Sequence, residues 1–189
     1  YHEGTIHDVM GYGGVPEDVG NADDRSVTVP AKPGRETYAE QIAMLSAAGC
    51  LPAIAHPNMT WALDAADLLS LDAERLRHFE MITTEPGMND RGGGKHHSTT
   101  ELWDTVLSTG RTLYAIASDD SHHFDRIGPE TVHVDGEMRT FAPSLPGRTS
   151  VYVRAPDLST DAVTSALGRG DFYIVRHQLT LPIELDDVR

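Results

Sequence analysis

The run Leu113–Ala117, which leads into Ser118-Asp119-Asp120-Ser121-His122-His123, constrains the fold more than any other stretch. It is continuously small or apolar and follows a segment of helical periodicity. A run that is apolar on both faces fits a strand covered on both sides, as in a parallel sheet whose crossovers are helices. The polar cluster then falls just past the strand's C-terminal end, the place where alternating strand–helix folds carry their chemistry.

The same pattern recurs along the chain. Glu36–Ala48 repeats Tyr38, Ile42, Leu45 and Ala48 at spacings of three and four, and Gly49 stops it, so the segment reads as a helix. Leu51–Ala55 is a second buried strand, and it ends in His56-Pro57-Asn58. Pro57 disfavours helix at His56. Trp61–Leu69 and Asp72–His78 read as one or two short helices, and Phe79–Thr84 as a third strand. Ser98-Thr99-Thr100-Glu101 is a capping box that opens a helix running to Gly110. Thr149–Arg154 alternates as a strand, Ser159 or Thr160 caps a helix through Leu167, and Asp171–Val175 closes the order. His7–Gly13 reads as a short strand. Thr131–Val134 and Arg139–Phe141 read as edge strands joined through Asp135-Gly136. Residues 15–35, the glycine-rich 86–97 and 125–146 read as loops. No fixed-period repeat appears. The expectation is one α/β domain over residues 1–189, either a barrel or a layered sheet.

Charge narrows the partners. The chain has 15 basic and 29 acidic residues among 189, a net charge of −14. Such a surface repels nucleic-acid phosphates and acidic membranes, which leaves a small-molecule substrate as the expected partner. An anionic substrate then needs a local positive centre, which a metal ion supplies; the plainer reading of the charge is solubility. The single cysteine, Cys50, excludes an intramolecular disulfide and is expected to be buried. No stretch approaches the roughly 18 apolar residues of a membrane span. The cysteine count fits a cytoplasmic protein.

His56, Asp120 and His122 form a donor set suited to a divalent metal. In an extended segment Asp120 and His122 point the same way and share one metal face. Asp119 fits that pairing less well and could orient a ligand histidine instead. His123 then faces away from His122, to meet substrate or to pack. His7 is a further candidate ligand, or an ordinary histidine at an element's end. His56 has the alternative of a satisfied core histidine. Asn58 is a candidate substrate contact, and Glu80 either faces the site or is structural. A metal here would lower the pKa of bound water towards ~7, with Asp120 able to take the proton. No Gly-x-Ser-x-Gly elbow is present and Cys50 is misplaced for a nucleophile, so metal-assisted hydrolysis is the economical reaction class.

Ala55-His56-Pro57 followed by Ser118-Asp119-Asp120-Ser121-His122 resembles the polymerase-and-histidinol-phosphatase (PHP) superfamily. Glu101-Leu102-Trp103-Asp104, Leu107–Arg111 and Ala166–Tyr173 are similar to its carbaryl-hydrolase-like branch. The resemblance implies a distorted (β/α)7 barrel, incomplete here at its N-terminus, holding two or three Zn, Mn or Fe ions. It implies hydrolysis of a phosphoester or of a carboxyl- or carbamate-type ester by a metal-bound hydroxide. By it, His7, His56, Asp120 and His122 are the metal ligands, and Glu80 lies where the family has an acidic strand residue. On the residues' own chemistry Asp120 and His122 are the candidate catalytic pair, and Asn58 and His123 the candidate substrate contacts. The family's opening His-x-His strand and Ser-Asp-Gly turn are absent, and its bridging glutamate lies upstream unless Glu3 is that residue. The resemblance therefore implies that these residues are the C-terminal two-thirds to three-quarters of a longer domain. The alternative is a non-catalytic PHP-like module with a structural or partner-binding role.

Overall fold

A computed structural model describes residues 9–12, 35–85, 87–121, 130–134, 137–141 and 146–177. The chain order is β1 (Val9–Tyr12), α1 (Arg35–Ala47), β2 (Leu51–Ile54), a 3-10 turn (Met59–Trp61), α2 (Ala65–Ser70) and β3 (His78–Thr83). It continues with α3 (Thr99–Ser108), β4 (Tyr114–Ser118), β5 (Glu130–Val134), β6 (Glu137–Phe141), β7 (Thr149–Val153), α4 (Thr160–Arg169) and β8 (Phe172–Arg176).

The helices begin and end for local reasons. Ser98 Oγ accepts from the Glu101 N–H while Glu101 Oε2 accepts from the Ser98 N–H, so the capping box opens α3. Gly49 takes φ 76° after α1, and the Cys50 N–H returns to the Leu45 carbonyl, a left-handed stop that favours glycine. Ser159 caps α4 through the Ala162 N–H, and Gly170 ends it at φ 79°. Arg111 donates to the carbonyls of Leu68, Leu71 and Leu76, tying the end of α2 to the start of β4.

β2, β3 and β4 are parallel neighbours in that order, and β1 adds antiparallel on the outer edge of β2. The main core lies on one face of this sheet: Tyr38 and Ile42 from α1, Leu68 from α2, Leu102 and Val106 from α3, with Ile54, Phe79 and Leu113. Cys50 is buried and free. The expected helix over Asp72–His78 is a turn in which the Asp72 carboxylate accepts from the Glu74 and Arg75 N–H groups. That local bond competes with helix.

The expected (β/α)7 barrel is not what the chain forms. Its described strands make a four-stranded mixed sheet and two separate two-stranded antiparallel ribbons, β5–β6 and β7–β8, and no barrel closes. A parallel neighbour requires a crossover, usually a helix. After β4 the described chain instead supplies a hairpin, then β7, which turns through α4 to pair with β8. The strand ladder therefore stops at β4. No helix among the described residues is long and apolar enough to cross a membrane.

Candidate functional site

The C-terminal ends of β2, β3 and β4 form one edge, and each strand delivers a polar group just past it. β2 leads to His56, which is buried and sits at φ 25°. Two residues beyond β4, Asp120 sits at φ 47° and is half-buried. Neither is glycine, so both occupy a region that costs about 1–3 kcal/mol and persists only when the surroundings impose it. The tips of β2 and β4 flank β3, with axes about 10 Å apart by ordinary strand spacing.

β3 supplies what imposes that conformation on His56. Glu80 is 1% exposed, and its Oε2 accepts the His56 N–H at 2.7 Å and the Thr83 hydroxyl at 3.2 Å. A buried carboxylate is costly unless hydrogen-bonded, and this one spends its bonds on the next strand's exit. The β3–β4 register shifts between Glu80 and Ile82, a bulge that re-aims the strand beside the site.

Asp90 adds a second acid. Its Oδ2 accepts the Thr83 N–H at 2.6 Å, while its buried Oδ1 has no hydrogen-bond partner. Burial pushes its carboxyl up to about 6; the Thr83 hydrogen bond opposes this, and the nearby charge of Glu80 adds to it.

Asp119 precedes Asp120 and ties two strands together. Asp119 accepts from the N–H groups of Gly147, Arg148 and Thr149 and from the hydroxyls of Thr84 and Thr149. It fastens the end of β4 to the start of β7. Asn58, 2% exposed, donates through Nδ2 to the carbonyls of Asn89 and His97, while Asn89 donates back to the Asn58 carbonyl. Both amide hydrogens of Asn58 thus hold the 87–97 turn in place. That turn, read from its glycines as a loop, is fixed further by a Gly93–His96 bridge and by His96 stacked on Trp61 at 4.2 Å.

His7, His122 and His123 lie outside the described residues. His56 and Asp120 share the edge, but among the described residues no three His, Cys, Asp or Glu side chains come together as a metal-holding group.

Sequence reasoning missed Asp90 and His177. His177 follows β8 as His56 follows β2, and its N–H donates to the Arg148 carbonyl at 2.7 Å. Its Nε2 meets the Ser150 hydroxyl at 2.9 Å, and its buried Nδ1 has no partner. The strand-then-histidine pattern was available to find it. Asp90 lies in a glycine-rich turn whose path no periodicity reveals.

Basic groups are sorted by position. Arg75 pairs with Asp72 and Arg169 with Asp171, while Arg77 lies on Tyr114, all away from this edge. Arg91 and Lys95, in the turn after β3, and Arg148 and Arg176, at the β7–β8 end beside Asp119, are in no ion pair among the described residues. No family model, curated protein or solved structure matches this chain.

Proposed function

We propose that this edge is the active site of a metal-dependent hydrolase, PHP-like in its ligands though not in its strand arrangement. The reading rests on one observation above all. His56 and Asp120, at the tips of two parallel strands flanking a third, are both held in left-handed backbone conformations, and a buried carboxylate grips the first. Imidazole and carboxylate suit Zn, Mn or Fe. In this proposal His7 and His122 complete the ligand set; β1 meets the same edge, with Val9 paired to Ile54. A bound ion supplies positive charge and an acidified water at neutral pH.

The chain's own groups do the rest. Glu80 keeps the His56 backbone in place, Asp119 keeps Asp120 at the β4 tip, and Arg91, Lys95, Arg148 and Arg176 draw a negative substrate to an acidic protein. Those cations favour a phosphoester over a neutral carboxyl or carbamate ester. The proposal includes a cytoplasmic location, which the lone buried Cys50 suits.

The non-catalytic reading draws on Asp119 and Asn58, whose polar atoms are engaged in holding loops. Metal analysis of the purified chain separates the two. The hydrolase reading expects stoichiometric metal, lost in His56→Asn and Asp120→Asn, and turnover of p-nitrophenyl phosphate above that of p-nitrophenyl acetate. Asparagine is the substitution of choice because it tolerates positive φ. A folded chain that takes up no Zn, Mn or Fe overturns the proposal.

A further inference from the structure

A cavity of 110 Å³ lies where three layers meet, lined by Leu51 of β2, His78 of β3, Ile116 of β4, Val151 and Val153 of β7, and Leu167 of α4. His78 and Ile116 are buried and form its blind end, whereas Leu51, Val151, Val153 and Leu167 are half-buried and form its mouth. His78 is its one polar side chain. Its Nε2 bonds the Leu167 carbonyl at 2.9 Å, and burial holds its pKa below the ordinary value, so the ring is neutral. A trapped water needs two to four polar partners. The aliphatic lining offers none, and His78 has already committed one nitrogen, so water entering by the mouth is poorly held.

We propose that this cavity is a binding site for a small apolar molecule, or for the terminal branched alkyl group of one. An enclosed apolar cavity of about 150 Å³ takes benzene or xenon. The smaller volume here suits a group of isobutyl size. The mouth of half-buried aliphatic side chains lets such a group enter while the rest of its molecule stays in solvent. The cavity lies toward the starts of β2 and β3, away from the edge that carries His56, so it stands independently of the hydrolase reading.

The test uses the full chain with 13C-labelled methyl groups, and xenon and isobutanol as probes. Saturable shifts are expected at Leu51, Ile116, Val151, Val153 and Leu167, with Leu68, Leu102 and Val106 of the main core unmoved. Val151→Phe fills the space and abolishes those shifts while the spectrum stays dispersed. Should that variant unfold, Val153→Leu is read instead and weakens probe binding several-fold. Absence of shifts at saturating xenon, equal shifts throughout the core, or unchanged shifts in a folded filled variant overturns the proposal.

Discussion

The two ends of the parallel sheet each bury a histidine and treat it in opposite ways. At the strand starts, His78 packs against Tyr114 and Phe172 at ring distances of 5.3 and 6.2 Å and bonds the Leu167 carbonyl. Tyr114 donates its hydroxyl to the Arg169 carbonyl at 2.9 Å, so this end also satisfies the last turn of α4. At the strand exits, His56 sits in a strained conformation beside a buried carboxylate, a bulge, and two buried atoms without partners, Asp90 Oδ1 and His177 Nδ1. Each of those features costs stability. The start end also has buried atoms without partners, Ser46 Oγ and Arg111 Nε; what the exit end adds is backbone strain and a buried carboxylate, which is why function is sought there.

The largest effect expected from breaking this contrast lies at the strand-start end. A Cβ added at Gly170 would stand 2.3 Å from Tyr114 Cε1, on a residue at φ 79°. Gly170→Ala should therefore cost about 3 kcal/mol, combining left-handed strain with overpacking. Urea unfolding measures it, and a cost below about 1 kcal/mol would show that the aromatic cluster yields more easily than its packing implies.

At the exit end the corresponding change is Glu80→Ala, which orphans the buried His56 N–H. A loss of about 2 kcal/mol is expected, because removing a buried carboxylate offsets part of the lost hydrogen bonding. Glu80→Gln keeps an acceptor and should stay within about 1 kcal/mol of the parent. Equal losses in both variants would mean that the charge, and not the hydrogen bond, secures His56.

Much of the frame could be read from the sequence, and little of the hydrogen bonding at the exit end. The Ser98–Glu101 box, the Gly49 stop, the cap at Ser159 and the apolar runs of β2 and β4 are local signals, and they placed α1, α3, α4 and the parallel core. The barrel did not follow from them. Closure depends on which strands hydrogen-bond after β4, and a ribbon that pairs with itself has the same alternation as one that extends a sheet. The tips holding His56 and Asp120 were legible because each follows a continuous apolar run. The fastening role of Asp119 was not, because it depends on N–H groups 28 to 30 residues away. Asp90 gave no signal because its burial comes from a turn anchored by Asn58.

The sharpest test of the contrast is that the two ends respond to acid with opposite sign. Asp90 has a folded-state pKa of about 6 against an ordinary 3.8, so its burial disfavours the charged form. Its cost is fully present above pH 6 and disappears as pH falls through that window, stabilising the exit end. His78 has a folded-state pKa below 6.5, so the unfolded chain takes up its proton first. Stability at the strand starts therefore falls as pH drops below 6.5. Between pH 7.5 and 5 the two partly cancel in the parent protein. Asp90→Asn removes the acid-stabilised contribution and should raise stability at pH 7.5 by about 2 kcal/mol, leaving a curve that declines on acidification. His78→Phe removes the other and should leave a curve that rises. Urea midpoints across that range, with both variants declining or both rising, would refute the assignment of opposite slopes to opposite ends of the sheet.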